Sequence, residues 1–161
     1  MTMDDTQRRL AGLYLMKKLD LSPEDGGMPL PLPLPRELDL LDEVLDPLVV
    51  AGLVDMDRRR KQYVLTERGI ETIGHHIDEA EHYIDEFDGM AVEQLVPLLR
   101  QRRLDPLRVR FLWGWYQGEF DDLVLWQQRR GLAEIDEDWA SYLVGDGFWR
   151  ELATELAGDA N

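Results

Sequence analysis

Hydrophobic positions recur every three or four residues along most of this 161-residue chain, a spacing that predicts helices. Over residues 7–19, Leu10, Leu13, Tyr14 and the stem of Lys17 fall on one helical stripe. Ser22-Pro23 and Gly26-Gly27 end it. Met28 to Pro35 then alternates Pro and Leu. Proline has no N–H to donate, so this segment reads as an edge strand or a polyproline-II ribbon. Helical spacing returns over 36–52, with Leu38, Leu41, Leu45, Leu48 and Val49 as its stripe. Pro47 starts a new helix there or kinks this one, and Gly52 is a natural C-terminal cap.

Val54 to Lys61 and Gln62 to Thr66 predict a two-stranded hairpin whose polar tip is Asp57-Arg58-Arg59-Arg60-Lys61. A long helix follows over 67–88. Ile70, Ile73, Ile77, Ala80, Ile84 and Phe87 form its seam, which either dimerises with a second copy or packs back on its own chain. Asp88-Gly89 marks a boundary, and the remainder reads as helices. One covers 91–103 and is disturbed at Pro97. A second opens at Asp105-Pro106 and carries Leu107, Val109, Phe111, Leu112, Trp113 and Tyr116. Three more cover about 119–130, 136–144 and 147–156.

Residues 51–69 carry a resemblance. A helix leads into Ala51-Gly52-Leu53-Val54, then Asp57-Arg58-Arg59, then Leu65-Thr66-Glu67-x-Gly69. This order resembles the recognition helix and wing of winged-helix proteins, and the spacing is similar to that of MarR-type regulators. The resemblance covers about 38–72 and does not extend into the C-terminal half. It implies an N-terminal winged helix (5–74) with a small β-hairpin wing; with the helical spacing of the remainder, the expected fold is mainly α, continuing through a long connecting helix (67–88) into a Trp-rich helical domain (90–158). It also implies that Arg58, Arg59, Arg60 and Lys61 lie beside a phosphate backbone, if the chain binds DNA. Two departures stand out. MarR-type proteins have an ordinary helix where this chain has its Pro/Leu ribbon. The helix that should enter the major groove carries Asp39, Asp42, Glu43 and Asp46, and lacks the Arg, Lys, Asn, Gln, Ser or Thr donors that read bases.

Charge sharpens that contrast. There are 33 acids against 18 bases, for a net −15, divided as −4 over 1–74 and −11 over 75–161. A field of that sign repels nucleic acid and anionic membrane at long range. An acid-rich surface with three lysines also suits solubility in high salt. Cysteine is absent, which removes disulfides, thiolate chemistry and cysteine-ligated metals. No run reaches the ~18 apolar residues of a membrane span, and the first residues are polar, so a soluble cytoplasmic chain is expected.

The chemistry-bearing candidates are few. His75, Glu79, His82 and Glu86 share one helical face, and Glu79-x-x-His82 has the spacing of helical carboxylate metal sites. There is no second Glu-x-x-His, and the face lies opposite the isoleucine seam. It reads as a solvated polar face, with no metal and no cofactor expected. Arg100, Arg102, Arg103, Arg108, Arg110, Arg129 and Arg130 read as ion-pair partners for local acids. All five tryptophans lie between 113 and 149. Most belong to a core, with Trp115 and Trp126 as candidates for a partner surface. Phosphate loops, nucleophile elbows and zinc-protease motifs are missing, so no enzyme activity is expected. The sequence therefore points to a non-enzymatic interaction or adaptor protein that meets a protein partner through Asp39, Asp42, Glu43 and exposed aromatics. The alternative is a MarR-like regulator that contacts DNA through its wing alone and dimerises through the helix at 70–87.

Overall fold

The structure, a computed structural model, describes residues 4–20, 44–57, 62–135, 139–145 and 147–157. The Pro/Leu ribbon, the first part of the 36–52 helix with Asp39, Asp42 and Glu43, and the tip residues Arg58 to Lys61 lie outside these. The architecture is mainly helical with one small antiparallel sheet. Helix α1 spans Asp5–Asp20, and helical residues 44–50 form α2. Strands β1 (Val54–Asp57) and β2 (Gln62–Leu65) follow. Then come α3 (Glu67–Phe87), α4 (Val92–Gln101), α5 (Pro106–Gln117), α6 (Leu123–Arg129), α7 (Trp139–Val144) and α8 (Gly147–Ala157).

Helix α1 differs most from its sequence pattern. A stripe of Leu10, Leu13 and Tyr14 was expected, but every residue from Leu10 to Met16 is buried. The run Leu-Ala-Gly-Leu-Tyr-Leu-Met is apolar on all sides, as a helix enclosed by the fold must be. α1 packs against β2, α3, α5 and α7. The buried side chains form one cluster that runs from Leu10 in α1 to Leu152 in α8. Asp88-Gly89 is a turn in the chain, and the core continues across it.

The C-terminal half is packed by aromatic rings. Phe148 meets Phe120 at 5.0 Å and Trp149 at 4.9 Å, both edge to face, and Phe111 stacks on Phe120 at 5.6 Å. Trp115 and Trp126 belong to this core, at 2% and 5% exposure. They therefore present no surface to a partner, which corrects the expectation drawn from their residue type. Large apolar rings are worth more inside a close-packed core than at its edge.

Local signals set the helix ends. Asp105 caps α5, its side chain accepting from the Leu107 amide at 3.0 Å, with Pro106 in the first turn. Asp122 accepts from Leu125 N–H at 3.1 Å, so α6 begins at Leu123 and not near 119. In the hairpin Val54 pairs with Leu65, Asp55 with Val64, Met56 with Tyr63 and Asp57 with Gln62.

The base of the hairpin is the tightest junction. Gly52 has φ +77°, the left-handed conformation that ends α2. Thr66 caps α3 by accepting from Gly69 N–H at 3.0 Å, and its own hydroxyl donates to the Gly52 carbonyl at 2.6 Å. Thr66 N–H donates to Leu53 O at 3.1 Å. A Cβ at Gly69 would stand 2.2 Å from that same Leu53 oxygen. The Leu-Thr-x-x-Gly spacing thus seats α3 on the end of α2. Replacing Gly69 by Ala should cost about 1–3 kcal/mol, because backbone must move. Gly74, with nothing within 4 Å of its Cβ position, should gain about 0.5–1 kcal/mol on replacement by Ala. Urea unfolding of the two variants checks the pair.

Candidate interaction surface

Helix α2 and the hairpin place a small mixed surface around the Thr66 junction. α2 buries Val44, Leu45 and Leu48. Val49, expected in the buried stripe, is 41% exposed, and Val50 is 87% exposed. The helix is rotated so that positions 44, 45 and 48 face α1, and 46, 47, 49 and 50 face out. That outward face carries a carboxylate (Asp46), a proline and two valines, with no side-chain hydrogen-bond donor. On the far side of the junction Ile70, expected in the α3 seam, is 54% exposed. Glu67 and Glu71 are exposed close to it in sequence, and Asp55 is exposed on β1. Val49 and Ile70 are the residues of this surface that hydrophobic periodicity misplaces. Their only signal is that the junction already satisfies the backbone around them and leaves the side chains outward.

The rest of the α3 seam faces inward. Ile73, Ala80, Tyr83 and Phe87 are buried, and α3 packs on α5 and α1 of its own chain. Of the seam expected over 70–87, Ile73, Ala80 and Phe87 are covered internally, Ile77 and Ile84 are half-buried, and Ile70 is exposed. Arg108 of α5 and Arg102 at the end of α4 meet the expected polar stripe. Arg108 grips Glu79 with two hydrogen bonds, Nη2 to Oε1 at 2.8 Å and Nε to Oε2 at 3.0 Å. Tyr83 OH donates to Glu79 Oε2 at 2.7 Å. Glu86 accepts from Arg102, and His82 lies 3.2 Å from the other Glu86 oxygen. His75 is exposed on the outer side. His75, Glu79 and His82 are thus not drawn into one ligand set: Glu79 has both oxygens engaged and His82 faces Glu86. Among the described residues no group of three His, Cys, Asp or Glu is placed to hold a metal ion.

Further along α5, Arg110 is held between Glu119 and Glu155, each at 2.9 Å, with its guanidinium over the Phe120 ring at 5.7 Å. Arg130 also pairs with Glu155 and covers the Trp126 ring at 4.2 Å. These bases are committed to structure, whereas Asp46 on the α2 surface forms no ion pair among the described residues. No helix among the described residues is long and apolar enough to cross a membrane. Comparison of the chain with protein-family models, curated proteins and solved structures returns no match.

Desolvation pushes the Glu79 carboxyl up, but the hydrogen bonds from Arg108 and Tyr83 outweigh it and hold it below the ordinary carboxylate value. Tyr83 moves the other way, pushed up to about 12 by burial and by its bond to Glu79. A carboxylate with a lowered folded-state value stabilises the fold above its unfolded value and loses that contribution as pH falls through the folded value. The unfolding free-energy difference between the native chain and Glu79→Gln should therefore be largest near neutrality and shrink on acidification below about pH 4.5. Denaturant titrations at stepped pH measure it.

Proposed function

We propose that this chain is a non-enzymatic adaptor built on a winged-helix scaffold, which docks a protein partner on the α2 and hairpin corner. The observation that carries the reading is the outward face of α2. Asp46, Pro47, Val49 and Val50 hold no group able to donate to a base edge or a phosphate. A good bidentate base contact is worth about 1–3 kcal/mol of discrimination, and this face offers none. Its carboxylate stands against the sign of a duplex, within a chain of net −15. Exposed aliphatics between acids are instead suited to meeting polypeptide, where apolar burial supplies affinity and charge sets specificity.

The scaffold reading rests on order and joints: a helix ended by left-handed Gly52, a hairpin, and a long helix capped by Thr66. These elements fit the winged-helix resemblance in the sequence. The aromatic half contributes to the proposed role as a rigid base, since its tryptophans with described surroundings pack inward.

The Val50→Asp variant tests the proposal. Val50 is 87% exposed, so the change should alter stability by less than about 0.5 kcal/mol. It should abolish recovery of one defined partner from an extract of the source cells, while Tyr116→Ala, on the exposed side of α5, should not. Fluorescence anisotropy with random-sequence duplex should show no binding at about 50 mM salt. Tight duplex binding that collapses by about 200 mM salt, and weakens in Arg58→Ala plus Arg59→Ala, would instead establish the DNA-binding alternative.

A further inference from the structure

Resting on the docking role just proposed, we infer that the partner segment enters the groove between α1 and α2 and carries aliphatic side chains beside one or two carboxylates. The two helices touch at Gly12, where a Cβ would stand 3.1 Å from Leu48 Cδ2. One to two turns earlier along α1 they leave an open groove of about 400 Å³. That volume is within the ~300–1,000 Å³ of ordinary ligand sites. Val44 and Leu48, at 2% and 8% exposure, form its floor. Pro47 and Ala51 are its exposed lining on α2, and Arg8 and Arg9 its lining on α1. These residues border a single cavity, and Pro47 belongs both to it and to the outward face of α2.

Local bonds sort the charge at this groove. Asp4 caps α1 by accepting from Gln7 N–H at 2.8 Å, and Gln7 accepts from the Asp4 amide at 3.2 Å. Asp5 accepts from Arg8 Nη1 at 3.1 Å. Asp46 lies outside the groove. Arg9 is exposed and takes part in no ion pair among the described residues. An apolar floor beside an uncommitted arginine offers burial to an aliphatic side chain and a charge-assisted hydrogen bond to a carboxylate next to it. A lysine or arginine in the carboxylate's place would be repelled by Arg8 and Arg9. The preference is a contact effect and not a long-range field. The chain is net −15, and exposed charges more than ~8 Å apart are largely screened at physiological salt. A segment with two carboxylates can therefore approach, whereas a duplex, with one charge per ~1.7 Å, meets the acids of the whole chain.

The test uses the intact chain and three short synthetic peptides at about 150 mM salt. The peptides share their leucine positions and place Glu, Gln or Lys at the two positions beside them. The Glu peptide should bind saturably, with backbone amide NMR shifts confined to 5–9 and 44–53. The Gln peptide should bind about five times more weakly, and the Lys peptide more weakly still. Arg9→Gln should remove the advantage of Glu over Gln and leave the affinity of the Gln peptide unchanged. Arg129→Gln, the same change of charge at an exposed position on α6, should leave all three unchanged. Ala51→Glu, which puts a carboxylate in the groove, should weaken the Glu peptide about tenfold. Equal binding of the Glu and Gln peptides, equal effects of Arg9→Gln and Arg129→Gln, or shifts outside the groove overturn the inference. So does a duplex that binds and is lost in Arg8→Gln plus Arg9→Gln, or a dimer of the chain that is lost in Arg9→Gln. If Val50→Asp leaves natural partner recovery intact while the Glu peptide still binds through Arg9, the docking corner fails and the groove stands. If Val50→Asp abolishes recovery and Arg9→Gln does not weaken it, the corner stands and the groove is not its seat.

Discussion

The enclosure of α1 is the constraint on which the other elements depend. Seven consecutive residues, Leu10 to Met16, are shielded from water on every side. One helix can be enclosed only if neighbours close around its whole circumference. Here β2, α3, α5 and α7 do so from different parts of the chain. The connecting helix α3 is consequently a shared wall: it packs on α1 and on α5, and cannot stand free as a dimerisation arm along its full length. Removing any covering element would leave apolar surface of α1 in water, and those elements come from both sides of the turn at Asp88-Gly89.

Charge is organised around that core. Acids outnumber bases, so a fold that left them all unmatched would repel itself. The α5 arginines are placed to counter the worst crowding. Arg108 ties α5 to α3 through Glu79, and Arg110 ties α5 to α8 through Glu155. Both lie where apolar packing has already fixed the helices. The pairs therefore lose little additional freedom on forming, unlike mobile ion pairs at an open surface. Beside α2 the bases are differently placed: Arg8 and Arg9 of α1 line the groove along Val44, Pro47 and Ala51.

Much of the local structure was legible in the residues alone. Asp105-Pro106, Gly52 and Thr66 act through bonds to neighbours only a few positions away, and each performs the expected cap or stop. The hairpin and the extent of α3 were legible for the same reason. What escaped was rotation. Periodicity places Val49 in the buried stripe of α2 and Ile70 in the seam of α3, but which side of a helix faces inward is decided by partners distant in sequence. The same limitation hid the full enclosure of α1. It also put Trp115 and Trp126 on a surface, since residue type alone does not distinguish an interface ring from a core ring. The stripe of His75, Glu79 and His82 was expected to be a solvated face; His75 and His82 are exposed, but Glu79 is half-buried against Arg108. Its contact with Arg108 depends on α5 lying against α3, which no spacing within α3 encodes.

The confinement of every tryptophan to residues 113–149 has an optical consequence. Trp115, Trp126 and Trp149 sit in a sealed aromatic interior, with the Arg130 guanidinium stacked on one of their rings, and the α2 corner has no indole. Intrinsic emission therefore reports on the integrity of the interior and is silent about events at the corner. A ligand arriving there leaves the spectrum unchanged unless the scaffold itself loosens, so the chain carries its own means of telling recognition apart from melting.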